Sequence, residues 1–246
     1  MSGWTAKRFW TEARVEEIGG GFTVTLDGRA VKTPAKAPLL VPTRAMAEAI
    51  AAEWDAQTGK VDPATMPVTR AANSAIDKVT VQFDEVVGLL SDYGGTDLLC
   101  YRAEGPMELV ARQVEGWDPV LGWAASALNA PLAVTRGVVF VAQDPDVLAR
   151  LRARVAALDP FRLTAFHDLV AISGSLVLAL AVIDGWLPAE TAWQLSRIDE
   201  SWQTELWGTD DEAQKAEEVR HADFLQAERF YRLCALRVTD LQCADA

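Results

Sequence analysis

Two histidines, His167 and His221, are the side chains that could titrate near neutral pH and the natural place to look for chemistry. His221 follows Glu217 by four residues and precedes Asp223 by two. One helical face could bring Glu217 and His221 to a divalent ion, but a zinc or two-metal centre needs more ligands than this segment offers. The spacing predicts a surface histidine in an ion pair. His167, beside Asp168, is expected at the end of a helix and not as a general base. Nucleophilic catalysis needs Ser or Cys with a base and an orienting acid. Ser173-Gly174-Ser175 lies inside an apolar run, where small residues let helices pack closely, and there is no Gly-x-Ser-x-Gly elbow. Cys100, between Leu99 and Tyr101, is expected in the core. Gly19-Gly20-Gly21 is followed by no helix and no Lys-Ser/Thr pair, so it marks a turn and not a phosphate cradle. Asp199 and Glu200 are adjacent carboxylates, but neighbours on a helix point about 100° apart and make a poor acid/base pair.

The richest constellation is Leu195-Ser196-Arg197-Ile198-Asp199-Glu200-Ser201-Trp202-Gln203-Thr204-Glu205-Leu206-Trp207-Gly208. Leu195, Ile198, Trp202 and Leu206 share one helical stripe, which predicts burial. Glu200 and Gln203 project off that stripe, and Trp207 adds a large amphipathic ring at the helix end. Aromatic area combined with carboxylates suits a protein contact, because the ring supplies area and the charge supplies orientation. An ordinary amphipathic core helix with a wet face carries the same pattern.

The elements that must position these residues follow from local signals. Phe22, Val24 and Leu26 alternate with Thr23 and Thr25, the pattern of a half-buried strand. Asp27-Gly28 after it is a tight-hairpin pair, and Leu39 to Val41 is a further apolar run fenced by prolines. Residues from about 8 to 42 are expected to form a small β-rich unit. Thr43 is the predicted N-cap of a helix over about 44 to 57, with a loop at Pro63 to Pro67 and helical spacing from about Arg70 through Leu89-Leu90. A helix is expected over 106 to 128, with Pro119 kinking it or dividing it in two. Leu132 to Ala142 is β-like, with a turn or bulge at Gly137, and could pack back on the first unit. Asp144-Pro145 opens an amphipathic helix bearing Leu148, Leu151, Val155 and Leu158. Helices over about 162 to 184, 188 to 207 and 210 to 236 complete the chain, Gly208 closing the second of these. The class is α+β: a small N-terminal β-rich unit, residues 1–43, then a larger mainly helical domain, residues 44–246, with the β-like segment near 132–142.

Composition narrows the function. Net charge is −12, from 23 Lys/Arg and 35 Asp/Glu, which disfavours nucleic-acid and anionic-membrane binding. The charge is uneven: residues 1 to 44 carry seven basic and four acidic side chains, whereas residues 197 to 223 carry nine acidic and three basic. The second stretch is either a solvated helical face or an acidic docking surface. Cys100, Cys234 and Cys243 are odd in number and widely spaced, which suits a reducing compartment and argues against a disulfide framework. Leu169 to Ile183 is fifteen uncharged residues, short of the about 20 a membrane span needs, and predicts a central buried helix. Met1-Ser2-Gly3-Trp4 shows no apolar signal run, so a bacterial cytoplasmic protein, or a processed protein of the mitochondrial matrix, is expected.

Several unusual blocks follow one another along the chain: Asp27-Gly28-Arg29-Ala30-Val31-Lys32-Thr33, Glu53-Trp54-Asp55-Ala56-Gln57, Met66-Pro67, Ala75-Ile76-Asp77, Asp97-Leu98-Leu99-Cys100-Tyr101-Arg102-Ala103, and Asp199-Glu200 through Trp207-Gly208. Together they resemble the assembly chaperones of the ATP synthase catalytic head that hold its alpha subunit, over nearly the whole chain from Arg8-Phe9 to about Leu236. The resemblance implies a holding role that needs neither ATP nor a cofactor, in which free alpha is bound before it pairs with beta. It also implies that the family's important acidic position falls on Glu200, in step with Gln203 and Trp207-Gly208. Trp202 stands where many relatives carry Phe or Tyr. The implied contact residues are Glu200, Gln203, Trp207 and Asp199, and the free protein is expected to be a monomer. The alternatives left by the residues alone are a generic structural module, and a small-ligand protein or enzyme of unknown substrate; a ligand protein would show a concave pocket with convergent polar groups.

Overall fold

The computed structural model describes residues 7–235; Cys243 and the N-terminal tetrapeptide lie outside them. The chain is α+β and folds into two compact units. One comprises residues 7–82, 160–164 and 229–235, the other residues 83–159 and 165–228. The division at Gln82 differs from the expected one at Thr43, because the first helices pack on the N-terminal sheet and belong to it.

The first unit is built on a three-stranded antiparallel sheet in sequential order: β1 (Ala13–Ile18), β2 (Gly21–Leu26) and β3 (Arg29–Ala30). Leu26 pairs with Arg29, so Asp27-Gly28 is a two-residue loop, and both residues take positive φ (47° and 78°). This is the geometry in which that pair suits a twisted hairpin. The Asp27 carboxylate also accepts from the backbone N–H groups of Thr11 and Glu12. β2 is more buried than its alternation predicts. Thr23 and Thr25 are buried along with Val24 and Leu26, because their hydroxyls donate to the Leu39 carbonyl (2.7 Å) and the Glu16 carboxylate (3.0 Å). Helix α1 (Arg44–Asp55) packs on β1 and β2 through Met46, Ile50 and Trp54, and Thr43 Oγ1 caps it by accepting from Met46 N–H. Glu53 reaches to α2 (Pro67–Ser74), where it accepts from the N–H groups of Val68 (2.7 Å) and Thr69 (2.8 Å) and from the Thr69 hydroxyl (2.6 Å). A carboxylate at a helix N-terminus satisfies orphan donors and opposes the helix dipole. Asp77, in the π-turn Ala75–Val79, accepts from the Thr33 hydroxyl at 2.6 Å. The helical spacing from Arg70 to Leu90 is thus two α-helices with a π-turn between, and α3 (Phe83–Asp92) starts the second unit.

In the second unit α4 (Met107–Ala127) runs as one helix through Pro119, not as two shorter ones. The hydrogen bond lost at proline is offset by burial of Trp117, Val120, Leu121 and Ala124 on the same helix. α5 (Pro145–Ala156) starts where Asp144-Pro145 predicts, the Asp144 carboxylate accepting from Asp146 N–H. The apolar run around 169–183 belongs to two helices, α6 (Pro160–Ser173) and α7 (Leu176–Ile183). Gly174 turns left-handed (φ +71°), and Ser175 caps α7 by accepting from Leu178 N–H. Residues Leu176 to Val182 are all buried, so the expected central helix is real but shorter. His167 lies within α6, bonded to Asp168, and not at its end. The expected helix 188–207 is likewise two, α8 (Ala189–Ser196) and α9 (Ile198–Trp207), divided at Arg197. Gly208 (φ +80°) closes α9, and α10 (Asp211–Leu233) follows. The β-like segment near 132–142 contributes one short strand, β5 (Thr135–Arg136), paired in parallel with β4 (Tyr101–Arg102) of this same unit and not with the first unit's sheet. Among the described residues no helix is long and apolar enough to cross a membrane.

Candidate functional site

In the family-like block from Asp97 to Ala103, Asp97, Leu99, Cys100 and Arg102 turn inward and hold the fold. Asp97 is fully buried. Its carboxylate accepts from the N–H groups of Leu99 (3.1 Å) and Val177 (3.0 Å) and from the Ser175 hydroxyl (2.8 Å), tying the start of α7 to the turn before β4. Burial raises its pKa to about 6, against the opposing pull of these donors. Arg102, also buried, donates to the Leu99 carbonyl (2.9 Å), the Gln113 carbonyl (3.0 Å) and the Asp118 carboxylate (2.7 Å), and stands over the Trp117 ring. Cys100 is buried as expected, its thiol pushed up to about 12 mainly by desolvation, so it is no nucleophile at neutral pH. Spacing and periodicity gave no signal for Asp97 or Arg102 as organisers; only membership of the blocks pointed to them.

The α9 segment is different. On its inner side Ile198, together with Leu195 near the end of α8, closes on Gly116 of α4, where a β-carbon would lie 2.9 Å from a terminal methyl of each. Trp117 Nε1–H donates to the Leu195 carbonyl at 2.8 Å. The Asp199 carboxylate accepts from the Gln113 side-chain amide at 2.6 Å, so this candidate faces α4. Arg112 of α4 lies over the Trp202 ring (4.8 Å) and grips Glu205 with two bonds of 2.7 Å. This mutual hydrogen bond holds the Glu205 carboxyl below its usual range and the Arg112 guanidinium above its own. The predicted buried stripe is therefore only half present. No α9 residue is fully buried, and Leu206 is 55% exposed, because α9 packs one side on α4 and leaves its other side open.

The outer side carries Glu200, Gln203 and Trp207, three and four residues apart, which places them on one ridge. Glu200 and Gln203 are exposed, and the Trp207 ring is 78% exposed. Glu200 accepts from Arg197 Nη1 at 2.7 Å. Arg197 itself is mostly covered, stands over the Trp193 ring, and lies 3.6 Å from the Glu217 carboxylate of α10. Arg197 thus fixes the α8–α9 break and orients Glu200. His221 pairs with Glu190 of α8 at 2.8 Å and stacks on Trp193, rather than on Glu217 of its own helix. Among the described residues no three His, Cys, Asp or Glu side chains converge as metal ligands. The ridge offers no reactive group; what it offers is area, charge and an amide.

Comparison with known proteins gives this arrangement its context. A profile of the ATP12 chaperone protein family matches residues 7–125. The crystal structure of Atp12 from Paracoccus denitrificans superposes with a TM-score of 0.91 at 55% identity, covering 93% of this chain and 98% of that one. A variant of the same protein in which lysine replaces an aspartate gives the same values. A protein from Agrobacterium tumefaciens proposed to be a chaperone matches at 40% identity with a TM-score of 0.89, covering 93% of this chain and 86% of that one. The mitochondrial atp12 protein of Schizosaccharomyces pombe is 27% identical over 219 residues, 84% of this chain and 75% of that protein. The class is that of chaperones for ATP synthase assembly. The chain belongs to the ATP12 chaperone family.

Proposed function

We propose that this protein holds the free alpha subunit of the ATP synthase catalytic head, through the outer ridge of α9, until beta takes its place. The ridge carries the reading: Glu200, Gln203 and the largely exposed Trp207 stand in line on a helix whose other face is locked to α4. An unassembled subunit exposes apolar interface that would otherwise aggregate. A holder covers that surface and must later yield it, which calls for a mixed apolar and charged contact and not a deep cavity. Trp207 supplies area, Glu200 supplies charge, Gln203 supplies a donor and acceptor, and Asp199 keeps the helix seated through Gln113. The protein is read as a monomer when free, with no enzymatic activity or cofactor of its own, and it acts in the compartment where the catalytic head is assembled: the bacterial cytoplasm or the mitochondrial matrix.

The test is co-expression with the cognate alpha subunit, pull-down and sizing, with beta as the control. A soluble complex with alpha and none with beta is the expected result. Glu200→Lys should weaken capture roughly tenfold, since a reversed charge at a contact repels what it attracted. Its melting temperature should stay close to wild type, because exposed ion pairs contribute only about 0–1 kcal/mol. Normal capture by the Lys variant would remove Glu200 from the contact.

A further inference from the structure

The segment after β5 breaks a rule that soluble loops obey. Val138, Val139 and Phe140 are 96%, 71% and 65% exposed, three consecutive large apolar side chains in solvent. Single exposed apolar residues are ordinary, but a run of three is a liability unless it is used. The loop is also held in shape. At its base the Gln143 side chain, itself buried, takes both backbone groups of Ala133: its carbonyl accepts from Ala133 N–H (2.8 Å) and its amide donates to the Ala133 carbonyl (2.9 Å). On the rising limb β5 pairs with β4, and Gly137 N–H donates to the Arg102 carbonyl at 2.8 Å. Gly137 adopts φ +72°, and a β-carbon there would come within 3.1 Å of the Glu104 carboxylate. A turn pinned at these points presents its apolar tip at little entropic cost on binding.

The root of this loop and α9 share one buried residue. The Gln113 side-chain carbonyl accepts from Ala103 N–H at 2.8 Å, next to the Arg102 that anchors Gly137, while its amide donates to Asp199 at 2.6 Å. One glutamine, 1% exposed, therefore fixes both the strand beneath the apolar tip and the inner side of the helix that carries Glu200, Gln203 and Trp207. We infer that Val138, Val139 and Phe140 form a second contact for the client held by α9, taking apolar surface that the client covers only on assembly. This rests on the α9 reading and extends it from a charged ridge to a two-part surface. A second copy of this chain suits the surface less well. A symmetric pair would join two chains that each carry a net charge of −12, so like charge opposes it.

The test replaces all three side chains by serine (Val138→Ser, Val139→Ser, Phe140→Ser) in the full chain and repeats the alpha-subunit capture beside Trp207→Ala. Exposed positions should tolerate the change, so the melting temperature should hold while capture falls about tenfold or more, as at interface anchors. A second variant, Phe140→Tyr, keeps the ring and should capture normally. If Trp207→Ala loses capture while the triple variant retains it, the loop is not a contact and the inference is overturned, with the α9 reading intact. If wild type captures no alpha at all, both fall together. If wild type sizes as a dimer and the triple variant as a monomer, the loop joins copies of this chain, which also overturns the inference.

Discussion

Asp97 places a carboxylate where solvation is lost on all sides, and three donors from two segments are arranged around it. Replacing it by asparagine turns one acceptor oxygen into an NH2 group facing donors. Asp97→Asn should therefore cost about 1–3 kcal/mol, the range for leaving buried polar groups unmatched. The pH dependence has a definite sign. Burial raises the folded-state pKa to about 6, above the ordinary carboxylate value, so the native state binds this proton more tightly than the unfolded chain. The stability it contributes is present below about pH 4 and is lost as pH rises through about 6. Wild type should lose part of its advantage over Asp97→Asn across that window, measured as the gap between their urea midpoints at a series of pH values. A gap independent of pH would mean that Asp97 does not titrate there. The contrast with Glu200 shows what distinguishes the two kinds of carboxylate. Both stand in family-like blocks, yet Asp97 is consumed by backbone donors and Glu200 keeps an exposed face beside Arg197. Residue type and spacing do not separate them; only burial does.

At the scale of elements, α9 is positioned by its contact with α4, and Gly116 is the close point of that contact. Gly116→Leu would drive side-chain atoms into Ile198 and Leu195. Overpacking of this kind should cost about 1–3 kcal/mol. The relevant readout is capture of alpha by the variant that remains folded: displacement of α9 should reduce it, although Gly116 touches no partner. Unchanged capture would show that the ridge does not depend on its seat. Where elements begin was legible whenever a local chemical signal marks them. Thr43 caps α1, Asp144-Pro145 opens α5, Asp27-Gly28 turns the hairpin, and Gly208 ends α9. Where they are interrupted was less legible. The Gly174-Ser175 pair is a left-handed stop followed by an N-cap, but the continuous apolar run on either side masks it. The break at Arg197 has no glycine or proline and depends on partners far along the chain, Glu217 among them. The apolar character of residues 132–142 predicted strand, but only Thr135–Arg136 pairs, and the most apolar part is left in solvent.

At the scale of the molecule, the charge is the property that reaches furthest. Half of the net charge of −12 lies late in the chain, where α9, the turn after it and the first half of α10 hold nine acidic against three basic residues between positions 197 and 223. The ridge pattern of Glu200, Gln203 and Trp207 was readable from helical spacing, but the apolar loop beside its anchor was not, because exposure is a property of tertiary packing. On the proposed reading, together they give a contact surface with two kinds of force acting over different ranges. Charge steers encounter and is screened by salt, with a Debye length of about 10 Å at 0.1 M and about 3 Å at 1 M. Apolar contact acts only once the partners touch, and salt weakens it little. Raising ionic strength across that range should therefore slow association with alpha by roughly tenfold or more while leaving dissociation nearly unchanged. Glu200→Lys should flatten the salt dependence of association. The loop triple variant should keep that dependence and instead dissociate faster, since most effects of lost apolar contact appear in the off-rate. Binding kinetics on immobilised alpha at a series of salt concentrations measure both rates. An association rate indifferent to salt would mean that the acidic stretch does not steer, and a salt-sensitive dissociation rate would assign the hold itself to charge.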